Sequence, residues 1–210
     1  MQNPNLPHPE TKQKGYTIIE LGIALAIIAV LIVAGLAGVT TVLNNSKSNG
    51  QIEESGIVLA KLQSLLTSTS ASGINTAGAV GAGFFPAARV SGTGTAATVA
   101  NKFGGSEFVR SNADLASGTG VTAGPGVGAI YTITGVPKAV CANIATSLAT
   151  LANSAWIYNA TPTESTADAA TNLSSTTTQI KAPGGQVQGA KVGTQCNLAD
   201  TVSLAFFLRP

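Results

Sequence analysis

A single carboxylate stands at the head of the longest apolar run in this chain, and that pairing limits what the chain can fold into. Glu20 is followed by a stretch without charge from Leu21 to Leu43. As a helix, about 23 residues at 1.5 Å each span roughly 35 Å, enough to cross the hydrocarbon core of a bilayer. The core of an ordinary signal peptide is shorter, about 7–15 residues. A membrane-spanning segment is therefore expected over about 18–43. An ionised Glu costs about 2.5–3.5 kcal/mol at the centre of a bilayer and less towards its edge. Such a residue calls for a partner. A cut after Gly15 creates an amino terminus four residues ahead of Glu20, and the amine of one copy can then meet the carboxylate of another.

The flanking residues extend the pattern. Lys12 and Lys14 precede Gly15, then come Tyr16, Ile18, Ile19, Glu20 and the apolar run. This order of basic leader, glycine, aromatic residue, apolar positions and glutamate resembles the type IV prepilins. The resemblance implies that residues 1–15 are a leader, that a prepilin peptidase cuts between Gly15 and Tyr16, and that the new Tyr16 amine is methylated. It also implies that Glu20 governs subunit docking. Cys141 and Cys196 are similar to the pair that bounds the C-terminal region of pilins, and in an exported chain they form one disulfide. Their wide spacing, the leader length and the large mature domain resemble the type IVb branch, which includes toxin-coregulated, bundle-forming and conjugative PilS-like pilins. Tyr16 stands where Phe, Met or Leu is commoner, and no Pro interrupts the N-terminal helix.

Composition narrows the function classes. Of 11 basic and 9 acidic residues, the leader holds Lys12, Lys14 and Glu10, so the mature chain carries a formal +1. No basic cluster marks a nucleic-acid groove. The only histidine, His8, lies in the leader, so the mature chain lacks His-based catalysis and His-ligated zinc. The cysteines fit no zinc spacing. Glu53 and Glu54 are adjacent on a helix and point apart, as residues of a solvated or intersubunit face rather than an acid–base pair. Gly118–Ala123 matches a dinucleotide fingerprint in letters alone, because no strand precedes it and Pro125 follows. No cofactor or catalytic residue is expected. Asn159-Ala-Thr161 and Asn172-Leu-Ser174 read as exposed loops.

Along the chain, the N-terminal helix is expected over 16–70. Its second half carries Ile52, Leu59, Leu62 and Leu66, with Val58 and Leu65 alongside, at helical spacing. Gln51, Glu53, Lys61 and Gln63 fall off that stripe. Gly22, Gly35, Gly38, Gly50 and Gly56 permit close helix approach in lipid. Residues 71–210 read as one globular pilin domain. Within it, 71–127 forms a connection anchored by Phe84, Phe85, Phe103 and Phe108, with short strands near 87–91 and 106–110. A strand at 128–134 leads to Pro137, which opens a second helix. That helix buries Val140, Cys141, Ile144, Leu148 and Leu151. Trp156 and Tyr158 join the core or its edge, 160–185 is a Thr-rich loop, and strands follow at 186–192 and 202–208. The disulfide-bounded region runs 141–196.

The expected fold is α+β, a long N-terminal helix packed on an antiparallel sheet, with the C-terminal strand placed centrally by the resemblance. The implied function is a subunit that polymerises with itself into a pilus after processing. The peptidase, an inner-membrane assembly platform and, before assembly, the membrane itself are its partners. It moves from the inner membrane, with residues 1–15 cytoplasmic, to an extracellular fibre. The alternatives are a minor pilin, a secretion-system pseudopilin, or an anchored binding domain that never polymerises.

Overall fold

The computed structural model describes residues 15–69, 72–111, 121, 128–166 and 173–209, without the side chain of Ala37. Leader residues 1–14, most of 118–123 and Asn172 lie outside them. The chain divides between Val42 and Leu43 into two compact units. Helix α1, Ile18–Ser68, begins in the first and ends in the second. In the first unit every described side chain is exposed, from Tyr16 at 83% through Leu31 at 65% to Val42 at 68%. Among the described residues α1 is the one helix long and apolar enough to cross a membrane.

The second unit is built on the other half of α1. Its buried residues Ser48, Gln51, Ser55, Val58, Leu59, Leu62 and Leu66 recur at three- and four-residue steps, which is one face of a helix. Val58, Leu59, Leu62 and Leu66 lie where periodicity puts them, and Ile52 is half-buried. Gln51 does not fall off the stripe: it is fully buried, because the sheet supplies the polar partners described below.

The sheet has seven strands, all antiparallel: β1 Val90–Ser91, β2 Thr98–Ala100, β3 Ser106–Ser111, β4 Ala129–Pro137, β5 Ser154–Tyr158, β6 Gln179–Lys181 and β7 Thr201–Leu208. Their order is β1-β2-β3-β4-β7-β5-β6, so the C-terminal strand is central. Short helices α2 (Thr76–Gly81) and α4 (Gly189–Cys196) and the longer α3 (Lys138–Ala149) complete the unit. One sheet face presents Tyr131, Ile133, Ala155, Ile157, Leu204, Phe206 and Leu208 to α1 and α3. The other gathers Ile130, Trp156, Tyr158, Ala205 and Phe207 with Leu173.

Large residues on both faces explain the missed strand. In β5 all five residues are buried, so it shows no alternation, and Trp156 and Tyr158 belong to the core. The strand expected at 128–134 runs on to Pro137 through an irregularity between Ile133 and Val136. Gly135 sits there at φ +67°, and Gly105 approaches so closely that a Cβ on it would lie 2.1 Å from Thr134 O. Pro137 therefore ends β4, and α3 starts one residue later.

Three expectations are corrected. The segment 186–192 is not a strand. Residues 186–188 form no regular element and 189–192 open α4, where Val192 and Cys196 are buried four positions apart, the step of a helix. The 160–185 loop contains β6. Leu151 does not join the buried face of α3: the helix ends at Ala149, and Leu151 is 54% exposed. In β3, alternation buries Glu107 and Val109 and leaves Phe108 half-buried.

The rear face holds polar atoms without partners among the described residues. Thr132 Oγ1, Ser154 Oγ, Trp156 Nε1 and Tyr158 OH are buried and complete no hydrogen bond to any described residue. Burial raises the Tyr158 hydroxyl pKa well above its ordinary value; the Thr132 hydroxyl opposes this slightly but reaches no normal bonding geometry. A raised tyrosine pKa contributes stability that is complete below about pH 10 and is lost as pH rises towards the folded-state value. Tyr158→Phe removes both the unpaired hydroxyl and this alkaline loss. We expect it to raise stability by about 1 kcal/mol at neutral pH and to flatten the decline above about pH 10, as read by urea unfolding across pH. A destabilised variant would show that the hydroxyl has a partner in solution.

Candidate assembly site

Gly15, Tyr16 and Thr17 precede the first turn of α1. The helix starts here for a chemical reason. Thr17 Oγ1 accepts from Glu20 N at 3.2 Å, and Thr17 O accepts from Leu21 N at 3.1 Å. Thr17 is thus the N-cap, and Thr17-Ile-Ile-Glu20 has the spacing of a capping box. Glu20 lies in the first turn, where the helix dipole favours negative charge. The carboxylate has a local role in addition to any intersubunit one. Tyr16 and Glu20 are both exposed, and no cation of the described residues lies within ion-pairing distance of Glu20. The Gly15–Tyr16 bond lies outside the helix.

Cys141 in the first turn of α3 and Cys196 at the end of α4 form a disulfide, with Cα atoms 5.7 Å apart. Both are buried. The bridge therefore fastens one surface helix to another rather than to the sheet.

Sequence reasoning missed a buried polar network between α1 and the sheet. Glu107, 2% exposed, is its acceptor. Gln51 Nε2 and Arg89 Nη1 each donate to Glu107 Oε1 at 2.9 Å, and Tyr131 OH donates to Oε2 at 2.6 Å. Ser55 Oγ accepts from Gln51 Nε2 at 2.8 Å and lies 2.9 Å from the Tyr131 hydroxyl. Gln51 Oε1 accepts from Arg89 Nη1 and from Lys102 N, both at 3.0 Å. Glu54 pairs with Arg89 and, at 2.6 Å, with Lys102. Two cations thus balance two anions. Burial, then the nearby Glu107 charge, raises the Tyr131 hydroxyl pKa well above its usual value, keeping it protonated as a donor.

The network also accounts for one helix glycine. A Cβ on Gly50 would lie 2.8 Å from Lys102 Cε, so the bare backbone lets the lysine stem cross α1 to reach Glu54. Glu54 is a structural ion-pair member, and its neighbour Glu53 is exposed. Among the described residues no group of His, Cys, Asp and Glu is arranged to hold a metal.

The prokaryotic N-terminal methylation motif matches residues 11–36, a span that includes Gly15, Tyr16 and Glu20. In structure the chain is similar to the type IVb pilin of Salmonella typhi. That match has 20% identity, 77% coverage of this chain, 99% of that one and a TM-score of 0.51. It is also similar to TcpA, a type IV pilin of Vibrio cholerae El Tor, at 16% identity, 77% and 98% coverage and a TM-score of 0.52. The chain carries a prepilin motif on a type IVb pilin fold. No curated protein matches it in sequence. The fold likeness covers nearly all of each relative, while the motif covers only the start of α1. The motif thus concerns the start of α1, and the likeness in structure is one of fold.

Proposed function

We propose that this chain is a structural subunit of a type IVb-like pilus, made as an inner-membrane precursor and polymerised after residues 1–15 are removed. The observation that carries this reading is the coincidence of the methylation motif with a capped helix whose first unit exposes all its described apolar side chains. Exposed apolar area on this scale needs a lipid or protein environment. It is covered by lipid in the precursor and by other copies of α1 in the fibre.

In this reading the peptidase cuts the non-helical Gly15–Tyr16 bond without unwinding α1, and the Tyr16 amine is methylated. The positive amine of an incoming subunit then pairs with Glu20 of one already docked at the assembly platform. Packing of apolar helices lacks direction, and the ion pair supplies register. Its net stabilisation is small because both charges lose water, whereas a lone buried charge is strongly unfavourable.

The capping-box spacing of Thr17 and Glu20 favours a second reading, in which Glu20 only starts the helix of an anchored domain that never polymerises. Glu20→Gln separates the two, because Gln also serves a capping box but carries no charge. We expect this variant to insert into the membrane at wild-type levels and to lose at least about tenfold in sheared fibres, a factor worth about 1.4 kcal/mol. Normal fibre yield would sink the docking role. Intact mass of sheared wild-type protein tests processing directly, through a chain beginning at methylated Tyr16.

A further inference from the structure

Among the described residues after Leu43, three large hydrophobic side chains stand in solvent. They are Ile57, Leu151 and Leu198, exposed by 49%, 54% and 51%. Single exposed leucines are ordinary, but the placement of these three is directional. Helices α1 and α3 run side by side in the same sense. Asn143 Nδ2 donates to Ser48 Oγ at 3.2 Å, and a Cβ on Gly56 would lie 3.9 Å from Leu151 Cδ1. Leu151 therefore sits beside Gly56 at the C-terminal end of α3, and Ile57 is the next residue of α1. Leu198 sits at the other end, fixed by the Cys141–Cys196 bridge and by Lys138 N donating to Asp200 O at 3.0 Å. The 12 residues of α3 separate the two patches by about 18 Å.

Two further features belong to these patches. At 3.9 Å from its nearest neighbour, a methyl on Gly56 would make an ordinary contact, and Ala would favour the helix. Among the described residues nothing requires glycine there, and its absence of a side chain lowers the surface beside Leu151. Glu53, one turn before Ile57, is exposed and has no ion-pair partner among the described residues. Beside Leu198, Lys138 offers the opposite charge, shared with Asp200 at 3.2 Å.

A polymer that does not close requires two different, complementary patches on each copy. We infer that the Ile57–Leu151 patch of one subunit docks on the Leu198 turn of the next, with Glu53 facing Lys138, as a head-to-tail contact between globular units. The partner is a second copy of this chain, and the inference rests on the pilus reading. The contact adds to the packing of α1 segments and orients the globular units around it.

The test uses the full-length chain in cells that assemble it. Leu151→Cys and Leu198→Cys are introduced singly and together, and sheared fibres are oxidised by dioxygen, which takes up the two electrons of each new disulfide. The double variant is expected to give a ladder of dimers and higher multimers on a non-reducing gel, and each single variant monomers only. Normal fibres without a ladder overturn the contact and leave the pilus reading standing. A dimer from either single variant also overturns it, because like would then meet like. If the wild-type chain forms no fibres, the pilus reading itself fails and the contact with it. Should the double variant not accumulate, Glu53→Lys and Lys138→Glu supply the second test. Each alone lowers fibre yield severalfold and the pair restores it, whereas an additive loss overturns the proposal.

Discussion

Glu107→Ala is expected to destabilise the second unit by about 3–5 kcal/mol, the range for breaking a buried ion pair from one side. The carboxylate accepts from Gln51, Arg89 and Tyr131 at once. Its removal takes the anionic acceptor from three buried donors, one of them charged, and leaves them only the neutral partners Ser55, Gln51 and Ala100 O beside Glu54. Arg89, whose side chain is 12% exposed, keeps only Glu54 as an anionic partner. The double variant Arg89→Met/Glu107→Leu replaces the pair by apolar groups of similar volume and should recover much of the loss, because no charge is left uncompensated. Pulse proteolysis of the full chain in detergent, across a urea series, measures both. If Glu107→Ala stays within about 1 kcal/mol of wild type, the network is water-filled and contributes only the modest net worth of ordinary hydrogen bonds.

The second large effect concerns the disulfide. The bridge closes a loop with a sequence separation of 55, and the chain-entropy relation gives about 4 kcal/mol for that length. Replacing both cysteines by Ala should therefore lower the melting temperature by roughly 10 °C for a unit of this size. The loss should be uneven. Helix α4 has eight residues, too few to hold itself in water, and its buried side chains are only Val192 and Cys196. Without the bridge its amides should exchange much faster than those of β4 and β7, which lie at the centre of the sheet. Equal acceleration in α4 and β7 would show that the bridge holds the whole unit rather than its edge.

The two cases mark where local pattern stops being informative. Cysteine pairing was legible because export and family resemblance leave two cysteines one simple outcome. The buried carboxylate was not. Gln51 and Glu107 are separated by 56 positions, and each alone has the composition of a solvated surface. Burial of a polar side chain depends on whether another segment brings a complementary donor or acceptor, which no window of sequence contains. The same limit affects apolar residues. β7 is buried on both faces too, but the small Ser203 and Ala205 on its rear face let the core-facing Val202, Leu204, Phe206 and Leu208 show as alternation, whereas β5 carries Trp156 and Tyr158 on its rear face and shows none. Leu151 continued the spacing of α3 in sequence, but the helix stops at Ala149 and turns it into solvent.

By itself, the sequence determined the apolar length of the first part of α1, its start close to Tyr16, the motif at Gly15 and Tyr16, and the strands and helix whose large apolar residues recur at a regular step. These depend on residues within a few positions of each other, and hydropathy and capping chemistry act at that range. Only the tertiary structure decided that Glu107 is an interior acceptor, that 189–196 is a helix rather than a strand, and that β7 hydrogen-bonds between β4 and β5. Each of those outcomes is set by the free energy of pairing distant segments, which exceeds the small local preferences it overrides.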